Sequence, residues 1–173
     1  MQIKIIMISI LVACSYLIGE YIYKAYTKRH KQLNELIRIL EIMRMDLAFG
    51  LYTLDEMFFR IGENKEMSFH MVFKNICKDL RDENNKTLEL ILDKNLKDMG
   101  KDTYLQDREI EELKNLILTL GKGDIESQER MIDLSISNLK KMTEESLEDI
   151  NKKGNVYKKL STIIGLVIGI FLM

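Results

Sequence analysis

Proline is absent from this chain of 173 residues, although typical usage of about 5% would supply about eight or nine. The commonest device for stopping a helix or shaping a turn is therefore missing, and an all-α protein is expected. Cysteine is nearly absent too. Cys14 lies in an apolar stretch and Cys77 on a predicted helix far from it, which excludes a disulfide framework and suits a reducing compartment. The two histidines, His30 and His70, stand on separate predicted helices. Neither has a His or Cys at i+3 or i+4, so no zinc site is expected.

Charge of one sign is also lacking. A formal net charge of −1 leaves no nucleic-acid footprint and no trap for acidic substrates. No phosphate-binding G-x-x-x-x-G-K-S/T loop, G-x-S-x-G elbow, H-E-x-x-H helix or Cys-x-x-Cys pair occurs. Glu111-Glu112 and Glu144-Glu145 are adjacent carboxylates, but neighbours on a helix diverge by about 100° and such pairs are solvated surface. The expectation is a protein without catalytic residues, cofactor or metal.

What the chain has is concentrated at its ends. Ile5 to Gly19 and Leu160 to Met173 carry no charged side chain and read as membrane segments. Lys24, Lys28, Arg29 and Lys31 follow the first stretch, and Lys152, Lys153, Lys158 and Lys159 precede the second. By the positive-inside rule the centre is cytoplasmic and the N-terminus faces out. The expected organisation is a transmembrane helix over 1–23, a cytoplasmic helical bundle over 24–157 and a second transmembrane helix over 158–173. As a helix the second stretch measures about 21 Å against a hydrocarbon core of about 30 Å. Extension through Val156 and Tyr157, with Lys158 and Lys159 snorkelling, supplies part of the difference. Gly165 and Gly169, and Ser15 and Gly19, repeat the small-xxx-small spacing that lets helix backbones approach in lipid.

Between the ends the apolar positions recur at three- and four-residue steps. Leu33, Leu36, Ile37, Leu40, Met43, Leu47 and Leu51 predict a long helix continuing out of the first span and ending or bending at Gly50. Shorter helices follow: Leu54 to Ile61 closed by Gly62, Phe69 to Leu80, Leu88 to Met99 ended by Gly100, and one capped by Asp107 that ends at Gly121. Arg81 to Asn85 read as a polar loop and Gly121 to Asp124 as a tight turn, with Asp124 capping a long sixth helix that leads to the second span. The fold expected is an antiparallel bundle of five or six helices between two membrane helices. The eleven methionines serve it as adaptable gap-fillers.

Several segments carry a resemblance. Leu120-Gly121-x-x-Asp124-x-x-x-Gln128, Tyr26-Thr27-x-Arg29, Asp46-Leu47-x-Phe49-Gly50, Gly165-Leu166 and Leu172-Met173 together resemble the stage III sporulation protein AB family from end to end. The likeness is strongest from Leu113 onward. Tyr52-Thr53-Leu54 stands where that family has Thr-Pro-Leu, and Asp46 stands for a glutamate. The resemblance implies a membrane component of the secretion-like channel between mother cell and forespore. It also implies a cytoplasmic domain similar to the type II secretion F platform proteins. Its implied partners are a secretion ATPase, stage III sporulation protein AA, and other membrane components of the complex. The implied location is the mother-cell membrane facing the forespore. Carried over, Asp46, Phe49, Gly50, Gly121, Asp124 and Gln128 are candidates for a shared partner interface, although the glycines and Asp124 would equally serve turns and caps. A competing reading starts from Leu11-Val12-Ala13-Cys14, the pattern at which bacterial lipoproteins are cleaved and acylated. It would make the chain a lipoprotein or helical signalling protein facing outside the cytoplasm, acylated at Cys14.

Overall fold

A computed structural model describes residues 2–50, 52–82, 87–122 and 124–172, apart from the side chains of residues 2–5 and 172. The protein is all-α, and no strand occurs among the described residues. The helices are α1 (Gln2–Ala48), α2 (Leu54–Glu63), α3 (His70–Arg81), α4 (Leu88–Asp102), α5 (Asp107–Thr119), α6 (Ile125–Asp149) and α7 (Asn155–Leu172), with a π-helical segment, Ile150–Gly154, between the last two. They form two compact units, one from Met1–His30 with Glu144–Met173 and one from Lys31–Thr143. Residues 24–30 and 144–157, assigned to the bundle from sequence, thus group with the chain ends.

The unit of residues 31–143 is the bundle. Leu33, Leu36, Leu40 and Met43 of α1 are fully buried, together with Phe58 of α2, Phe73 and Ile76 of α3, Leu92 of α4, Leu113 and Ile117 of α5 and Leu139 of α6. Phe58 and Phe73 stack at 5.6 Å between ring centroids, tilted by 45°, a favourable aromatic geometry. Polar pairs then tie neighbouring helices in a closed ring. Arg60 meets Asp46 at 2.6 Å, Arg81 meets Asp55 at 3.4 Å, Lys94 meets Asp79 at 3.1 Å, and Lys114 meets Asp93 at 2.6 Å. Asn138 donates to Glu112 at 3.1 Å, and Arg44 returns from α1 to Asp133 of α6 at 2.7 Å. Exposed pairs contribute at most about 1 kcal/mol each; the buried apolar faces hold the bundle and the pairs fix its order.

Three helix limits differ from the sequence reading. α2 runs one residue past Gly62, which is buried because a Cβ there would lie 2.8 Å from the Lys74 backbone nitrogen. Its glycine serves close packing of α2 on α3. α4 continues through Gly100 to Asp102, since the helix-stop preference of glycine needs a left-handed residue and Gly100 has no positive φ. The fifth helix is capped by Gln106, whose backbone N–H donates to Glu109 Oε2 at 2.8 Å, and Asp107 is its first residue. Of the polar loop, residues 83–85 lie outside the described residues, as does Gly123 of the later turn.

The unit of the two chain ends is an antiparallel hairpin. Ile8 faces Gly169, Ser15 faces Gly165, Gly19 faces Lys158 and Arg29 reaches Asp149. Its inward residues on the returning helical arm, Ser146, Ile150, Gly154 and Lys158, are spaced by four. In an α-helix of 3.6 residues per turn that spacing drifts by about 40° per step. The π-segment, in which the Asn155 N–H donates to the Ile150 carbonyl, absorbs the extra residue and keeps the face turned to α1. Among the described residues α1 is the one helix long and apolar enough to cross a membrane by length and composition.

Candidate partner interface

The residues Asp46, Phe49 and Gly50 close α1. Asp46 is buried and pairs with Arg60, whose guanidinium lies 4.4 Å from the Tyr52 ring centroid. Gly50, at φ +60°, is left-handed, and its N–H donates to the Leu47 carbonyl at 2.9 Å, satisfying a carbonyl at the helix end. Phe49 differs from both: 74% of it is exposed, beside the equally open Met45 one turn earlier at 55%.

The second group opens α6. Gly121 has φ +80°, and its N–H donates to Gln128 Oε1 at 2.9 Å. Asp124 Oδ1 accepts from the Ser127 N–H at 2.9 Å, capping the helix. Hydrogen bonds from the Ser127 side chain and backbone hold the Asp124 carboxyl below its ordinary range. A shallow hollow of about 250 Å³, lined by Thr119, Lys122, Ser127, Gln128 and Met131, adjoins this turn.

The Arg44–Asp133 pair relates the two groups. Phe49 lies five residues beyond Arg44 and Gln128 five residues before Asp133. In an antiparallel pair both travel the same way, about 7.5 Å along the axis, so the groups share one end of the bundle. Five of the six residues have an intramolecular role there. Of the six, Phe49 alone offers a large apolar side chain to the outside; Met45 is exposed too, and Ile125, Met131 and Leu134, expected on the apolar face of the sixth helix, are likewise exposed.

Ser15, Gly19, Gly165 and Gly169 come together in the hairpin. A Cβ on Gly165 would lie 2.6 Å from Ser15 Cβ, one on Gly19 3.0 Å from the Lys158 Cα, and one on Gly169 3.0 Å from Ile8 Cγ2. The Ser161 hydroxyl donates to the Ser15 carbonyl. The small residues are thus occupied by the chain's own two ends. Sequence reasoning missed the pair behind them, Arg29 with Asp149 at 3.1 Å, in which the arginine side chain is only 4% exposed. Lys153, first, and Arg29 hold the Asp149 carboxyl below its ordinary range.

Cys14, exposed, lies within α1 with helix on either side. No group of three or more His, Cys, Asp or Glu side chains is placed to hold a metal among the described residues. A groove of about 580 Å³ between α4 and α5 is floored by Leu96, Gly100 and Ile110 and rimmed by mixed charges, of which Asp93 and Lys114 neutralise each other.

Residues 4–173 match the family described as stage III sporulation protein AB. No curated protein matches the chain. A solved structure titled stage III sporulation protein AB has a similar fold, with a TM-score of 0.62 and 21% identity over 71% of this chain and 96% of that one.

Proposed function

Because this chain belongs to the stage III sporulation protein AB family, we propose that it is a non-catalytic, membrane-anchored platform of the secretion-like channel between mother cell and forespore. In this reading it engages a cytoplasmic secretion ATPase, stage III sporulation protein AA. The observation that carries the reading is the family match across residues 4–173. Membership makes the chain a sporulation protein; the platform role and the ATPase are the proposal.

Three features support it. The apolar stretch and the buried face of Leu33 to Leu47 belong to one uninterrupted 47-residue helix, so a push on the bundle has a continuous element along which to reach lipid. The α1/α6 end carries an exposed Phe49, the residue class that anchors protein interfaces. Basic residues flank both apolar stretches on their inner sides, which favours a cytoplasmic bundle.

The test is co-purification of the full-length chain, extracted in mild detergent, with the ATPase. Retention on a column loaded with the ATPase supports the platform; passage through it, with the bundle still folded, removes the proposed partner.

A further inference from the structure

We propose that Glu20 and Lys158 form an ion pair inside the hydrocarbon region, and that the membrane surface meets a collar of tyrosines, Tyr21, Tyr23, Tyr26 and Tyr157. This rests on the membrane-anchored reading above and moves its boundary inward along the chain from Lys158.

Length is the first argument. Ile5 to Gly19, the uncharged part of α1, measures about 22 Å as a helix, well short of the about 30 Å of a hydrocarbon core. Running on to Tyr23 brings it to about 28 Å. That extension takes in Glu20. On the returning helix the equivalent extension takes in Lys158, because Gly19 packs directly on the Lys158 backbone.

Geometry is the second. Lys158 Nζ lies 2.7 Å from Glu20 Oε2, with the side chains 35% and 24% exposed, and 5.2 Å from the centroid of the Tyr23 ring. The ammonium is thus held by a carboxylate and an aromatic face supplied by α1. Lys24 adds a second cation 3.7 Å from Glu20 Oε1, on the bundle side of the carboxylate. Opposite charges cancelled in place lower the cost of entering lipid, and ionisable residues within spans characteristically pair in this way. The lack of a Cβ at Gly19 is what lets the two helices come near enough to pair.

Composition is the third. Immediately beyond the pair stand Tyr21 and Tyr157, both strongly exposed, with Tyr23 and Tyr26 against Gly154. Tyrosine, apolar in its ring and polar at its tip, is enriched at the headgroup level. Lys24 stands within the collar, and beyond it come Lys28, Lys152 and the Arg29–Asp149–Lys153 cluster, the charged groups expected on the water side. Lys159, adjacent to the pair, can reach the surface along its own four-carbon stem.

The chain contains no tryptophan, so single reporters read depth directly. Full-length chains carrying Leu17→Trp, Tyr21→Trp or Ile10→Trp are placed in phosphatidylcholine–phosphatidylglycerol vesicles with acyl chains brominated at successive depths. The Tyr21→Trp reporter is expected to be quenched best by bromine near the headgroups, and Leu17→Trp by bromine about 6 Å deeper. Adding Glu20→Lys should move the position-21 reporter outward, and adding Lys158→Glu to that chain should return it. A position-21 reporter that emits as in water and escapes quenching, while Ile10→Trp is quenched, overturns the intramembrane pair and leaves the anchoring intact. Depth unaffected by Glu20→Lys also overturns the pairing. Absence of quenching at all three positions removes the anchoring itself.

Discussion

The Glu35 carboxylate of α1 holds the turn that leads into α3 from across the bundle: it accepts from the Ser68 backbone N–H, from the Ser68 hydroxyl at 2.7 Å and from the Phe69 N–H at 3.4 Å. Ser68 and Phe69 stand immediately ahead of α3, and Phe69, its N-cap, offers no capping side chain, so the carboxylate satisfies two turn amides that no helix bond reaches. Glu35→Ala should destabilise the folded bundle by about 1–2 kcal/mol, read as a lower midpoint in urea denaturation, and Glu35→Gln by less. An unchanged midpoint would mean that water satisfies these two amides equally well.

Gly62 tests packing in the same unit. A methyl group at this position meets the Lys74 backbone at 2.8–2.9 Å, and backbone moves only with its whole helix. Gly62→Ala should therefore cost about 1–3 kcal/mol, even though alanine is the better helix former. A more stable variant would show that α2 and α3 slide apart freely.

Asp149 links stability to pH. Its carboxyl is held low by Lys153 and Arg29, so its contribution is complete above the ordinary carboxylate range near about 4 and fades as pH falls through the lowered folded value. Protonation removes one charged partner of the Arg29 guanidinium, which is almost wholly buried. Asp149→Asn should cost about 1–2 kcal/mol at neutral pH, measured by thermal unfolding in detergent, and the gap from the parent protein should narrow on acidification. A constant gap from pH 7 to pH 3 would contradict this.

Topology is open to a chemical test. Lys97, on the exposed face of α4, replaced by Cys in a chain that keeps Cys14 and carries Cys77→Ser, should add no labelling by an impermeant thiol reagent in intact cells over the same chain with Lys97, and should react after permeabilisation. Added labelling in intact cells would put the bundle outside and favour the lipoprotein reading at Cys14.

These particulars show why some of the structure was legible and some was not. The stripe Leu33, Leu36, Leu40, Met43 and Leu47 announces a buried helix because burial follows the 3.6-residue period. Gly50 and Gly121 announce turns because a left-handed residue is a local demand met locally. Gly62 and Gly100 look the same in one dimension, yet both sit inside helices, where the neighbouring helix decides their use. The π-segment was hidden for a similar reason: the four-residue spacing of Ser146, Ile150 and Gly154 becomes meaningful only once α1 is known to lie opposite. Of the candidate interface, caps and turns could be read from residue type, whereas the exposure of Phe49 and Met45 depends on which face the bundle covers.

Engagement of the ATPase by the α1/α6 end, as proposed above, turns on Phe49. The decisive measurement is the affinity of the full-length chain in detergent for stage III sporulation protein AA, comparing the parent with Phe49→Ala and verifying equal unfolding midpoints. Loss of an exposed aromatic anchor should weaken binding by about tenfold or more while leaving the fold intact, since Phe49 is 74% exposed. Parent-like affinity in the folded variant would contradict the claim and move the partner surface away from this end of the bundle.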